Sequence, residues 1–377
     1  MRAKILAGLL LGLWIGPGAA PGRADPLLDE MVEFDGVIGS LSVGSPGFVL
    51  AAIRDGETAV RGFGDRGDGQ APDGDTLLRV GSISKVFCGA ALADLVARDR
   101  LALTDTLESR AGFEGVSFPE RDGVPIRLID LVTQSSGLPR EVPAQPGPPD
   151  DPFAGNTHAA QLAGLGAPLL FTPGRGILYS NYGFDLLGAA LAHTAGQPYA
   201  DLLAERVLRP NGMADTTFAP TPEQEPRLMR GHDFSGAPMP FAPTPVTIEC
   251  AGGLYSTPND MLRWLAWQLD TGSAEDAEWR LLDQAAWRYR DGLDPVSGLD
   301  DGGTMDAMGL GWVVMLPRDN APLVLQKTGG LQGVFSYVAM APSRKVAVFA
   351  AMNQFSVTGF PAMVKTVNDL LDALAGR

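Results

Sequence analysis

Residues 81–98 read GSISKVFCGAALADLVAR, and this stretch places Ser82 and Lys85 three positions apart at the start of a predicted helix. At that spacing a hydroxyl and an amine share one face of the helix. The chain has 24 arginines and 5 lysines, so a lysine within a motif suggests chemistry that arginine cannot perform, namely loss of a proton. A serine is a weak nucleophile until a neighbouring base takes its proton, and a desolvated lysine can be that base.

An isolated Ser-x-x-Lys is more often an ordinary N-cap serine followed by a solvated lysine. Two further motifs, each of which occurs once in the chain, favour the catalytic interpretation. Tyr179-Ser180-Asn181 precedes a predicted helix, and Lys327-Thr328-Gly329-Gly330 lies on a predicted strand before a hairpin. The order Ser-x-x-Lys, Tyr-x-Asn, Lys-Thr-Gly is the signature of the penicillin-recognising serine hydrolases.

The chain therefore resembles the class C β-lactamase-related serine hydrolases, and within them the AmpH-type penicillin-binding proteins, which are D-alanyl-D-alanine carboxypeptidase/endopeptidases. The resemblance extends over almost all of the chain after residue 24. The segments that carry it are LVTQSSGLPRE (131–141), TPG…YSN…FDLLGAALAHTAGQPY (172–199), RPNGMADTTF (209–218), GGLYSTPNDMLRW (252–264) and QKTGG (326–330). Gln134 departs from the pattern, because many relatives have His or Tyr there, and it is assigned no role.

The resemblance implies catalytic roles for three side chains. Ser82 would attack the substrate carbonyl, while Lys85 and Tyr179 would share the proton transfers. The oxyanion would lie between the backbone N–H groups of Ser82 and Gly330. Such groups are effective there because unpaired N–H donors at a helix N-terminus stabilise developing negative charge.

Three further residues are implied in substrate binding. Asn181 would hold the substrate amide. Lys327 would attract the terminal carboxylate and bias Tyr179 towards its anion, and Thr328 would add a hydroxyl contact to the same carboxylate. The resemblance thus implies peptidoglycan peptides as substrates and β-lactams as acylating ligands.

The strand and helix patterns predict an α+β fold. Alternating segments after Gly47 and again from about residue 308 predict an antiparallel sheet built from both chain ends, with flanking helices such as 362–374. Between them we predict an inserted, mainly helical lobe. One hydrolase domain over 25–377 would then have a sheet lobe at about 25–80 and 305–377 and a helical lobe at about 81–304. The resemblance implies that this fold is β-lactamase/transpeptidase-like.

Composition excludes several classes of function. The 44 acidic and 29 basic residues give a formal charge of -15, which argues against a sequence-independent nucleic-acid binder. Three histidines and two cysteines form no cluster at zinc spacing, so we expect no metal site and no cofactor. Two alternatives stay open for Cys88, which is either a small buried apolar residue or the disulfide partner of Cys250.

Residues 1–24, MRAKILAGLLLGLWIGPGAAPGRA, predict a cleaved export signal. Basic residues precede an apolar run, and small residues precede an expected cleavage site after Ala24. The apolar run is too short for a membrane span, and no other run is long enough. We therefore expect a periplasmic protein without an integral membrane span.

The predicted function is an exported serine DD-peptidase. It would cleave D-Ala-D-Ala, or the cross-link from D-Ala to diaminopimelate, through an acyl-enzyme at Ser82. A class C-like β-lactamase and a carboxylesterase of the same fold are the alternatives, because all three use the same nucleophile. A penicillin-binding sensor or scaffold is the non-enzymatic alternative, but a binding module has no need for Lys85. The oligomeric state is left open.

Overall fold

The computed structural model describes residues 25–144, 147–148, 151–274, 276–299, 302–319 and 321–376. The export signal predicted for residues 1–24 lies outside these ranges. In the described part of the chain, no helix combines the length and the apolar character needed to cross a bilayer.

An eight-stranded antiparallel sheet draws its strands from the beginning and the end of the described chain. The strands of the described chain are β1 (Gly47–Arg54), β2 (Glu57–Gly64), β3 (Leu78–Arg79), β4 (Glu120–Arg121), β5 (Val124–Pro125), β6 (Ile177–Leu178), β7 (Tyr255–Ser256), β8 (Arg288–Tyr289), β9 (Val296–Ser297), β10 (Ala307–Met308), β11 (Val313–Met315), β12 (Val324–Leu331), β13 (Val334–Ala341) and β14 (Val346–Met352). The order of strands in the large sheet is β2-β1-β14-β13-β12-β11-β10-β8. Those outside the large sheet form the short pairs β3-β7, β4-β5 and β6-β9.

The helices of the described chain are α1 (Pro26–Val43), α2 (Ser84–Ala97), α3 (Leu107–Arg110), α4 (Leu128–Val132), α5 (His158–Gly164), α6 (Asn181–Ala195), α7 (Tyr199–Leu203), α8 (Glu249–Gly252), α9 (Pro258–Leu269), α10 (Ala277–Gln284) and α11 (Gly359–Ala375). Helices α1 and α11 pack on one face of the large sheet, and α9 packs on the other. Successive side chains of β1 point to opposite cores, as a strand requires: Leu50 packs with α1 and α11, and Val49 and Ala51 pack with the inserted helices. The predicted α+β architecture is confirmed.

Helix α1 was not predicted from the sequence. Its buried face includes Gly36 and Gly39, which give no hydrophobic signal. A methyl group on Gly36 would lie 2.5 Å from the ring of Phe63 on β2, and one on Gly39 would lie 2.9 Å from Thr366 on α11. The two glycines therefore allow α1 to approach both neighbours, and the same residues obscure its periodicity.

A disulfide joins Cys88 on α2 to Cys250 on α8, so the open question about these cysteines is resolved. The two Cα atoms are 5.4 Å apart, although the residues are separated by 162 positions in the chain. A methyl group on Gly188 of α6 would lie 2.9 Å from the Cβ of Cys250. The bridge thus ties α2 to α8 where α6 packs closely against it.

We expect the double variant Cys88→Ala/Cys250→Ala to lose about 2–4 kcal/mol of unfolding free energy, because the bridge restricts a long loop in the unfolded chain. Urea denaturation measures the loss. Adding a reductant should lower the wild-type midpoint and leave that of the double variant in place. Equal midpoints for the oxidised wild type and the double variant would contradict a stabilising bridge.

Candidate active site

Ser82 lies in a single 3-10 turn, Gly81–Ile83, that leads directly into α2. The turn begins with Gly81 at φ +53°, where a side chain would be strained. A methyl group there would also lie only 2.6 Å from the backbone nitrogen of Gly330 on β12. The close approach brings the Ser82 turn and the Gly330 backbone together, as the predicted oxyanion site requires.

The neighbouring serine, Ser84, has a different position. Its hydroxyl is buried, donates to the carbonyl of Gly81 (2.7 Å) and accepts from the backbone N–H of Leu254 (3.1 Å). Ser84 therefore fixes the turn, while the half-buried Ser82 hydroxyl accepts a hydrogen bond from Lys85.

Lys85 is fully buried, and its ammonium group joins three segments of the chain. The ammonium donates to the Ser82 hydroxyl at 3.3 Å, to the side-chain oxygen of Asn181 at 2.6 Å and to the backbone carbonyl of Ala251. A buried charge is costly unless hydrogen bonds compensate for its lost hydration. These contacts from α6 and α8 provide that compensation and aim the amine at Ser82.

Tyr179 is buried among cations. The ammonium of Lys85 lies 4.8 Å from the centre of its ring, that of Lys327 lies 5.4 Å away, and the guanidinium carbon of Arg140 lies 4.6 Å away. Cations at these distances are attracted by the ring electrons. Three positively charged groups therefore surround this side chain.

Asn181 is the first residue of α6, and Ser180 caps the helix by accepting from the N–H of Gly183 at 2.8 Å. The side-chain amide of Asn181 donates to a carboxylate oxygen of Glu141 at 2.7 Å. Its oxygen faces Lys85 and its nitrogen faces the exposed side. This residue therefore links the buried amine to the mouth of the site.

Gln134, to which the sequence assigned no role, holds the Tyr-x-Asn segment in place. It is buried, has φ +61°, and accepts from the backbone N–H of Ser180 at 2.6 Å through its side chain. Its own carbonyl accepts from the N–H of Leu178 at 3.0 Å. These two hydrogen bonds flank Tyr179, so Gln134 is a positioning residue that motif matching could not reveal.

Lys327 and Thr328 lie on β12, which packs against the Ser82 turn. A methyl group on Gly329 would lie 2.0 Å from the carbonyl oxygen of Val80, and Ser336 on β13 donates to that oxygen at 2.9 Å. The Lys327 ammonium is buried and contacts the carbonyl (2.6 Å) and hydroxyl (3.3 Å) of Thr328. All the residues predicted for the site are thus brought together around Ser82 and Tyr179.

Asp185, one turn along α6 from Asn181, is a buried carboxyl that sequence reasoning did not single out. Burial raises its pKa to about 8, against the opposing influence of a hydrogen bond from Asn156 and of the charge on Lys85. Its only signal in the sequence was an acid within the apolar stretch FDLLG. In the described part of the chain, no group of three or more His, Cys, Asp or Glu side chains is arranged to hold a metal ion.

Comparisons with known proteins agree with this geometry. The family model for β-lactamases matches residues 25–371. The D-alanyl-D-alanine-carboxypeptidase/endopeptidase AmpH of Escherichia coli K12 is 36% identical over 338 residues, which cover 89% of this chain and 86% of that protein. A β-lactamase from Pseudomonas fluorescens is 25% identical over 82% of this chain and 88% of its own length.

Solved structures show the same fold. The crystal structure of a β-lactamase/D-alanine carboxypeptidase from Yersinia pestis, complexed with citrate, superposes with a TM-score of 0.82 at 34% identity and covers 93% of this chain and 99% of that one. A class C β-lactamase from Rhodobacter sphaeroides, at 23% identity and a TM-score of 0.75, covers 92% of this chain and 99% of its own and supports the fold alone. On the family match, the AmpH similarity and the three assembled motifs, the chain belongs to the β-lactamase family of serine hydrolases.

Proposed function

We propose that this protein is an exported serine DD-peptidase that acts on peptidoglycan stem peptides, as a D-Ala-D-Ala carboxypeptidase, a DD-endopeptidase or both. The contact of 3.3 Å between the buried Lys85 nitrogen and the Ser82 hydroxyl carries the proposal, because the neutral amine of this lysine can accept the proton of the nucleophile. The similarity to AmpH supports the substrate class. We further propose that residues 1–24 direct export to the periplasm and that 25–377 form one hydrolase domain.

Acylation would begin when the Ser82 oxygen attacks the carbonyl carbon of the penultimate D-Ala. The serine proton would pass to the neutral amine of Lys85 or to the phenolate of Tyr179. The Lys85 nitrogen lies 3.3 Å from the Ser82 oxygen and 4.8 Å from the centre of the Tyr179 ring. The C–N bond would break as the leaving amine takes up a proton from the same pair. Water would then cleave the ester, releasing the shortened peptide acid and restoring the Ser82 hydroxyl. The N–H groups of Ser82 and Gly330 would stabilise each oxyanion.

Recognition of the substrate would use the positive charge of Lys327, whose ammonium lies 5.4 Å from the centre of the Tyr179 ring. Lys327 would attract the terminal carboxylate, Thr328 would add a hydroxyl contact, and Asn181 would hold the amide. A free carboxylate is common to D-Ala-D-Ala peptides and penicillins and is absent from simple esters. The buried ammonium of Lys327 therefore favours a peptidase or β-lactamase over an esterase.

A labelled penicillin should acylate Ser82. Its lactam carbonyl would occupy the place of the peptide carbonyl and its carboxylate that of the terminal carboxylate. Mass analysis of tryptic peptides should show the adduct in wild type and in Ser84→Ala, whose hydroxyl is engaged with Gly81. Ser82→Ala should show none, and undiminished labelling of that variant would refute the assignment of the nucleophile.

The variant Lys85→Arg should lower the acylation rate by about 10²–10⁴-fold, because arginine keeps the charge but does not accept a proton. Stopped-flow acylation by a chromogenic penicillin measures the rate, and circular dichroism checks the fold. Lys327→Arg is the matched control: it preserves a cation for the carboxylate and should lose less, mainly in KM. If Lys85→Arg is acylated at nearly the wild-type rate, Lys85 is a structural cation and not the base.

Purified muropeptides distinguish the remaining alternatives. We expect release of D-Ala from pentapeptides and cleavage of cross-linked dimers, with slow hydrolysis of penicillins, because the catalytic set supports acylation without by itself ensuring rapid attack by water. Product masses and rates on all three substrates from one preparation provide the measurement. Rapid penicillin turnover without muropeptide cleavage would indicate a β-lactamase. Activity confined to short-chain esters and unaffected by Lys327→Ala would indicate an esterase.

A further inference from the structure

Arg140 and Glu141 place two opposite charges at the mouth of the site. The Arg140 Nε and a carboxylate oxygen of Glu141 are 3.6 Å apart, and their side chains are 48% and 60% exposed. An ion pair this exposed contributes about 0–1 kcal/mol to stability. The ion pair therefore adds little to the stability of the fold, and stability does not explain why both charges are at this position.

Both residues contact the Tyr-x-Asn motif directly. Glu141 accepts from the side-chain amide of Asn181 at 2.7 Å, and the Arg140 guanidinium lies over the ring of Tyr179. Asn181 is the residue proposed to hold the substrate amide. The charge pair is therefore beside the position of the peptide backbone, on its solvent side.

The backbone beneath the pair is fixed. The carbonyl of Arg140 accepts from the N–H groups of Asn181 (2.7 Å) and Tyr182 (3.3 Å), at the start of α6. The guanidinium also donates to the carbonyl of Gly298 at 3.0 Å. A positive and a negative group are thus presented from a rigid support, which lowers the entropic cost of binding a ligand.

We infer that Arg140 and Glu141 form a subsite for a zwitterionic amino-acid head, meaning an ammonium and a carboxylate on one carbon, carried by the side chain of the residue that precedes the scissile D-Ala. The guanidinium suits the carboxylate because its planar donors can bind both oxygens, and the Glu141 carboxylate suits the ammonium. A diamino diacid such as diaminopimelate presents this head. The subsite rests on the proposed peptidase function and defines which stem peptide that function prefers.

Three pentapeptides that end in D-Ala-D-Ala test the subsite. They differ only in the preceding residue, which is diaminopimelate with its free head, lysine with an ammonium alone, or uncharged norleucine. The measured quantity is kcat/KM for release of D-Ala. Wild type should prefer diaminopimelate to norleucine by about tenfold or more, the equivalent of one well-formed charged contact, with lysine between them.

Arg140→Gln and Glu141→Gln should each lower this preference towards one, whereas Arg140→Lys and Glu141→Asp should retain part of it. The ratio between peptides is the readout, since a general disturbance of Asn181 would slow all three peptides alike. Arg61→Gln is the matched control: Arg61 pairs with Asp29 and Glu33, and β2 lies at the edge of the sheet, with three strands between it and β12. Its preference should equal that of wild type.

Two outcomes overturn the inference in distinguishable ways. If the peptides are cleaved but wild type shows no preference, or if both glutamine variants keep the wild-type ratio, the subsite is wrong and the peptidase function stands. If none of the three peptides is cleaved by a preparation that still forms a penicillin adduct at Ser82, the peptidase function and the subsite are both wrong.

Discussion

The buried ammonium of Lys85 is the constraint on which the rest of the active site depends. It requires hydrogen-bond acceptors from separate parts of the chain, and it finds them in Ser82, Asn181 and the carbonyl of Ala251. The disulfide lies close to these contacts, because Cys88 is one turn beyond Lys85 on α2 and Cys250 precedes Ala251. The same bridge that restrains two helices therefore also restrains the donor and one of its acceptors.

The parts of the protein that were predictable are those in which chemistry or periodicity restricts the residue type. A nucleophile, its base and their partners need specific side chains, so the three motifs could be found and the structure brings them together. The apolar run of β1 identified a strand, and the run is continuous because both faces of β1 are buried, in different cores. Asp55-Gly56, which joins β1 to β2, is a typical hairpin sequence, and both residues have the positive φ that such a turn requires.

The features that were missed depend on contacts between distant segments. Phe63 and Thr366 leave no space for side chains at two positions of α1, which are therefore glycines, Gly36 and Gly39. The sequence around these glycines gives no sign of the two contacts. Gln134 matters through a hydrogen bond to Ser180, 46 positions away. The pairing of Cys88 with Cys250 was one of two alternatives that the sequence left open, because it depends on how α2 and α8 meet. Each of these needs the tertiary arrangement before its role can be recognised.

The cluster of cations around Tyr179 belongs to a chain whose overall formal charge is -15. An anionic ligand is therefore repelled by the net charge of the molecule and attracted by the cations of the site. Dissolved ions screen exposed charges beyond a Debye length of about 8 Å at physiological ionic strength and affect buried contacts much less. Added salt therefore speeds the encounter of an anion with this acidic molecule, because it screens the net repulsion. It weakens the binding of the same anion to the buried amines only slightly.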